Sequence, residues 1–227
     1  MMATFPVTDR NRVRRYAKRA RYDKATIYAV LDEALVCYVA FVQDGRPRMV
    51  PTLFVRRGDA LLFHGSAESS LMRHIAAGGE VVVSAVLVDG LVVTKAITGL
   101  SVNYRSVMVF GHGRLLEGEE AKREAMRLFA DRLVPGHWTA ANAPASDDLQ
   151  GVTVAEVAIE SASAKVNAHL PDDAPEFRDL PVWAGYIPVG VVFGEPHTAD
   201  YADDTEMPPP LREAIARLSS PHRLPKE

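Results

Sequence analysis

The segment LVCYVAFVQDGRPRMVPTLFVRRGDALLFH, residues 35–64, decides the fold. Leu35 to Gln43 is a run of β-branched, aromatic and other apolar residues. Asp44-Gly45-Arg46-Pro47 then breaks it with turn chemistry. Arg48 to Arg57, the turn pair Gly58-Asp59, and Ala60 to His64 repeat the pattern, so the economical reading is a meander of three antiparallel strands. Upstream, Asp23 is placed to cap a helix from Lys24 to Ala34 that carries Ile27, Val30 and Leu31 on one face. Downstream, Ser66 to Ala77 switches to a short helix closed by Gly78-Gly79. Val-rich strands then follow at Glu80 to Val88, Leu91 to Ile97 and Val107 to Leu116. The first of these is apolar at consecutive positions, which predicts a strand covered on both faces, inside a closed barrel or beneath a partner subunit. Gly118 to Leu133 is an amphipathic helix, and Val152 to Ile159 a last strand. About six strands with three short helices, none a regular βα crossover, speak for an antiparallel barrel and against a doubly wound sheet.

The chain has 227 residues, 48% of them hydrophobic, enough for one continuous core. The expected organisation is a basic N-terminal arm over 1–24, a main domain over 25–194 and a C-terminal tail over 195–227 with a short helix from Leu211 to Leu218. A net charge of -3 excludes a general reader of nucleic-acid backbones. The basic run Arg10, Arg12, Arg14, Arg15, Lys18, Arg19, Arg21 and Lys24 reads as a solvated arm or helix face. Cys37 is the one cysteine, so there is no disulfide framework, CxxC pair or thiolate metal site. The opening residues MMATFPVTDRNR hold no signal-peptide core, and no apolar run is long enough to span a membrane; the expected setting is the cytoplasm.

Three constellations carry polar chemistry. In Phe63-His64-Gly65-Ser66-Ala67-Glu68-Ser69-Ser70-Leu71-Met72-Arg73, a strand end runs into a helix start. Amide N–H groups, the hydroxyls of Ser66, Ser69 and Ser70, and Arg73 together suit a phosphate monoester. Ser66 or Ser69 equally suits a plain helix cap. Asn103-Tyr104-Arg105-Ser106 heads a Val-rich strand, where Arg105 fits a phosphate and Tyr104 a planar ring; a hydrogen-bond cluster between subunits is the alternative. Ser163-Ala164-Lys165 and Pro181-Val182-Trp183-Ala184-Gly185 offer a cation and an indole to an aromatic cofactor, or else a surface charge and a plug for the barrel end. Gly111-His112-Gly113-Arg114 lies in a β run and lacks the third glycine and helix of a dinucleotide fingerprint. His64 and His74 have no spacing that argues for a metal.

The strings TIxxxLDEA, DGxPxxVPT, FHGSxxSxxMR, NYRSVxxFG, SAK and PxWAGxxP, in this order between residues 21 and 188, resemble the pyridoxamine phosphate oxidase-like proteins. The resemblance is to their flavin-nucleotide-binding branch, which includes nitroimidazole-resistance reductases. It implies a mainly β, six-stranded antiparallel split barrel, homodimeric, with FMN at the subunit interface. Carried over residue by residue, Val50, Pro51, Thr52 and Leu53 would contact the ring. His64, Gly65, Ser66, Ser69, Ser70 and Arg73, completed by Tyr104, Arg105 and Ser106, would hold the phosphate. Lys165 and Trp183 would approach from the rim or the partner, and His64 would be catalytic. Residues 91–103 depart from the family by lacking its paired histidines and placing a basic residue at Lys95. The implied activity is electron transfer from a nicotinamide nucleotide to a small oxidised substrate. The alternative is a carrier that binds flavin, deazaflavin or haem without turnover. A pyridoxal-phosphate-forming oxidase fits poorly, because its arginine-rich C-terminal signature is missing.

Overall fold

The computed structural model describes residues 3–202 and 205–218. The end of the expected tail, residues 219–227, lies outside them. The expected mainly β antiparallel architecture is what the chain adopts, with ten strands where about six are expected. In chain order the elements are β1 (Ala20–Arg21), α1 (Lys24–Glu33), β2 (Val36–Gln43), β3 (Arg46–Leu53), β4 (Val55–Arg57), β5 (Ala60–Gly65), α2 (Ser70–Ala76) and β6 (Glu80–Val93). They continue with β7 (Ser101–Leu115), α3 (Glu119–Leu133), α4 (Ser146–Gly151), β8 (Thr153–Ala158), β9 (Ser161–Asn167), β10 (Gly185–Pro188) and α5 (Pro209–Leu218). The sheet runs β3-β2-β6-β7-β8-β5-β4, with β9 also beside β7 and β1 beside β9. Two compact units emerge: one of residues up to Leu87, Tyr104–Met126 and Pro144–Asn167, the other of Val88–Asn103, Arg127–Ala143 and the chain from Ala168 onward.

Local chemistry fixes the first unit's elements. The Asp23 carboxylate accepts from the Thr26 N–H at 2.8 Å, capping α1, and Ile27, Val30 and Leu31 are fully buried as their spacing predicts. Asp44 and Gly45 both take positive φ, 53° and 69°, and join β2 to β3 with Gln43 paired to Arg46. This is the two-residue turn whose twist matches that of the strands it joins. Alternation along β2 buries Cys37, Val39 and Phe41, which meet Leu61 and Phe63 of β5, Val81 and Val83 of β6, Val107 and Val109 of β7, and α1 in one core. Burial pushes the Cys37 thiol up to about 12, so it packs as a small neutral apolar group.

Three departures from expectation have physical causes. Glu80 to Val88 and the first residues of the expected strand Leu91 to Ile97 are one continuous strand, β6, which ends at Val93, because Asp89-Gly90 sits within the ladder rather than turning it. The second face of β6 is not covered by the described residues: Val82 is half-buried and Val86 exposed, so one alternative offered above, the closed barrel, does not account for its apolar run. Strand β9 is not legible in the sequence because Ala and Ser have low strand propensity; it buries Ala162, Ser163 and Ala164 in succession, and its residues Asn167–Ser161 pair with Tyr104–Phe110 of β7.

The N-terminal segment is anchored rather than a loose arm. Phe5 is buried in the core, the buried Asn11 amide donates to the carbonyls of Pro6 (2.9 Å) and Ala162 (3.1 Å), and Ala20 and Arg21 pair with Lys165 and Ala164. The two glycines within Gly111-His112-Gly113-Arg114 are sites of close approach. A Cβ on Gly111 would stand 1.9 Å from the Ala158 carbonyl oxygen, and one on Gly113 would stand 2.7 Å from that of Glu156.

In the second unit, β10 pairs with the Gly90–Val93 end of β6. The Asp173 carboxylate accepts from the N–H groups of Lys95 and Ala96, both at 2.9 Å, and the Lys95 ammonium donates to the carbonyls of Arg178 (2.6 Å) and Leu180 (2.8 Å). Those amide donors hold the Asp173 carboxyl below its ordinary range. Lys95 is therefore a fastener for the 170–185 loop. Among the described residues no helix is long and apolar enough to cross a membrane.

Candidate functional site

Strand β3 ends the sheet path, so one side of its backbone makes no ladder hydrogen bond. Its Pro51 and Leu53 stand opposite Tyr38 and Val36 of β2, on the sheet face turned away from the core. That face carries Val36, Tyr38 and Val42 from β2, Met49 from β3, Val86 from β6 and Met108 from β7, all exposed, Met49 at 65% and Val42 at 60%. An apolar area continuous across four strands is what soluble chains leave uncovered only where something binds. Val50, on the core side, packs against the buried cluster.

The strand end His64-Gly65 approaches the same end of β3. Val55 of β4 pairs with Leu62 of β5, β3 runs into β4 through Phe54, and β3 and β5 are in contact. Of the three serines beyond, two are spent on backbone. Ser69 Oγ accepts from the Met72 N–H at 3.1 Å, which caps α2, and Ser66 Oγ accepts from the Glu68 N–H at 3.2 Å. Ser66 to Ser69 form a turn, so α2 begins at Ser70, later than expected. Arg73 is exposed and lies 3.5 Å from Glu68, a pairing worth little in solvent.

Arg105 is held differently from Arg73. Its guanidinium takes the Glu33 carboxylate at the end of α1 in a two-pronged pair, 2.5 and 2.8 Å, and both side chains are partly buried. Glu33 lies three residues before Val36, the partner of Leu53, so this ion pair sits at the same end of the sheet as Leu53. Tyr104 and Ser106 are half-buried on either side of it, and Ser106 faces Lys165 across the β7–β9 pairing. One expected site residue belongs to the second unit. There the Trp183 indole lies across Gly185, where a Cβ would come within 2.4 Å of it, and remains 63% exposed.

Partial burial holds the His64 imidazole below its ordinary value, so the ring is neutral at pH 7. Because the folded-state value is the lower one, protonation opposes folding. The penalty is absent above about pH 6.5, grows as pH falls below it, and is complete below the folded-state value. Urea midpoints of the native chain and a His64→Gln variant are expected to run parallel above about pH 7, with the native chain losing more stability toward about pH 5. Parallel slopes throughout would remove the desolvation argument.

Two clefts are lined by other residues. One, of about 600 Å³, is bordered by Arg57, Gly113, Arg114 and Glu117; the other, of about 510 Å³, by Lys95, Leu170, Asp173 and Tyr186. Neither is lined by a residue expected to hold the cofactor. Among the described residues, no group of three or more His, Cys, Asp or Glu side chains is arranged to hold a metal ion.

The model of the pyridoxamine 5'-phosphate oxidase family matches residues 23–166. The flavocytochrome Anf3 of Azotobacter vinelandii is 33% identical, with a TM-score of 0.82 over 96% of this chain and 98% of that one. The FAD and heme binding protein of Mycobacterium smegmatis is 32% identical, with a TM-score of 0.81 over 89% of this chain and 98% of that one. A putative 5-nitroimidazole antibiotic resistance protein from Bacteroides thetaiotaomicron shares the fold at 22% identity, with a TM-score of 0.57 over 65% of this chain and 86% of that one. No curated protein sequence matches the chain.

Proposed function

We propose that this chain, which belongs to the pyridoxamine 5'-phosphate oxidase family of flavin-binding split barrels, is a homodimeric flavin-dependent oxidoreductase. In this reading it passes electrons from a nicotinamide nucleotide to a small oxidised substrate. The observation that carries the reading is the uncovered apolar face of β2, β3, β6 and β7 beside the unpaired edge of β3. A planar ring seats its faces on apolar side chains and its polar rim on backbone groups, and this surface offers both. A second copy on the same face would enclose the ring and bury Met49, Val42 and Tyr38. A bound flavin supplies the transfer of hydride or single electrons. The chain's own part is to exclude water with that face, while the Glu33–Arg105 pair, on the core side of β7, holds the Leu53 end of the sheet rigid. His64, neutral at pH 7, can exchange a proton with whatever lies beside it.

Absorption titration with FMN and with FAD tests the reading. The native chain is expected to bind flavin stoichiometrically. Arg105→Ala, which also strands the Glu33 carboxylate, should weaken binding on the order of tenfold or more. His64→Gln should leave binding within about twofold and slow acceptor reduction by on the order of 100-fold. Failure of both flavins to bind removes the reading.

A second reading adds haem, which the name of the Mycobacterium smegmatis protein mentions and which a flavocytochrome, as the Azotobacter vinelandii protein is named, would also carry. In the second unit the exposed His169 is locked by reciprocal hydrogen bonds to the buried Asn103. Its Nδ1 lies 2.9 Å from the Leu170 carbonyl, a contact that fixes the tautomer leaving the Nε2 lone pair for a metal. Haemin added in the same titration gives a sharpened Soret band lost in His169→Ala if His169 would hold the haem iron, and no difference if it would not.

A further inference from the structure

We infer that the cationic cluster around Tyr16 is a subsite for the adenosine diphosphate half of a dinucleotide. Tyr16 adopts left-handed backbone angles, φ 55° and ψ 51°, one of two non-glycine residues with positive φ among those described. The other, Asp44, is explained by its hairpin turn. Tyr16 stands in the turn that opens a single-turn 3-10 helix, Ala17–Arg19, its carbonyl accepting from the Arg19 N–H at 2.9 Å, and what sets this residue apart is the surroundings of its ring. Those surroundings are cations. The guanidinium of Arg19 lies 4.5 Å from the ring centre, that of Arg15 5.1 Å, and the ammonium of Lys165 5.6 Å. Three other basic residues of this segment have carboxylate partners: Arg10 pairs with Glu80, and Arg12 and Arg14 with Asp9. Among the described residues no carboxylate pairs with Arg15, Arg19 or Lys165. Three positive charges gathered on one half-exposed ring repel one another, and an anion relieves that repulsion. Their influence also lowers the phenol's pKa, with the Arg15 hydrogen bond as the first cause.

The register says which anion. Lys165 stands directly opposite Ser106, and Ser106 shares the β7 face with Met108, which belongs to the uncovered apolar surface. From β2 to β9 the path crosses β6 and β7, three strand spacings or about 14 Å. The cluster therefore lies along the proposed ring surface, beside Ser106, a residue expected to hold a phosphate. Arginines suit a diphosphate, and an aromatic ring among them suits a purine. This inference rests on the flavin reading for its position, and on the cluster itself for its chemistry.

The test measures ADP, FMN, FAD and NADPH affinities for the native chain, for Arg15→Gln/Arg19→Gln and for Lys165→Gln, with circular dichroism to confirm folding. ADP is expected to bind the native chain and to weaken at least tenfold in both variants. FAD binding at least tenfold tighter than FMN, with the difference abolished in both variants, identifies the flavin dinucleotide as the source. Equal FMN and FAD affinities, with NADPH binding lost in the variants, identify the nicotinamide dinucleotide. ADP binding without any flavin binding supports the subsite and ends the flavin reading. The subsite is overturned if ADP does not bind, or if both folded variants bind ADP as the native chain does.

Discussion

Tyr38→Lys combined with Met49→Lys gives a folded chain that sediments as a monomer and retains no flavin. Both side chains point off the core face, at 44% and 65% exposure, so the chain's own fold loses less than about 0.5 kcal/mol. A twofold interface brings the same patch from each copy together, so each substitution places its charge twice in a desolvated area. Two lysines per copy are expected to weaken association on the order of 100-fold or more. Sedimentation velocity across a concentration series, with the absorbance of retained flavin followed in parallel, checks both halves. A variant that stays dimeric with flavin bound, or a native chain that is monomeric throughout, would falsify the interface.

Gly111→Ala is expected to destabilise the barrel by about 3 kcal/mol or more, a large share of the 5–15 kcal/mol that holds a typical domain together. The new methyl carbon would sit 1.9 Å from the Ala158 carbonyl oxygen and 3.1 Å from its carbon. Neither atom is the end of a flexible side chain, so β7 and the end of β8 must separate. A fall of about 6–12 °C in Tm follows for a chain of this size. Thermal melts by circular dichroism decide it, and a variant melting within 2 °C of the native chain would mean that the strands adjust without cost. Backbone crowding explains this glycine: at Gly111 any side chain collides, whatever its conformational freedom.

What the sequence discloses and what it hides divide along the range of the interaction. The Asp23 cap, the Asp44-Gly45 turn and the stripe Ile27, Val30, Leu31 are written within a few residues, and all are legible. Glu33 as the partner of Arg105 is not. The two lie 72 residues apart, and nothing local marks a helix-end glutamate for that pairing. The same holds for the glycines at 111 and 113, which look like a broken nucleotide motif until the carbonyls of Ala158 and Glu156 are seen against them. Of the candidate site, His64, Gly65 and the run Val50 to Leu53 meet at one end of the sheet. Ser66 and Ser69 turn out to serve their own backbone, and Trp183 belongs to the other unit. The uncovered face itself was half-legible: the consecutive apolar residues of β6 announced two buried faces, and a single chain supplies only one.

The β2–β3 hairpin has a bearing on how the molecule is made. Its ladder closes outward from Gln43 and Arg46 across a two-residue loop, a process that takes about 1–10 μs. Strand β7 must instead wait for partners in β9, as far along the chain as Asn167 from Tyr104. During synthesis the β2–β3 part of the apolar face is therefore in place while the core behind it is still missing its last strands. In the dimer proposed above, neighbouring ribosomes on one message would present such hairpins to each other, and assembly would begin during translation.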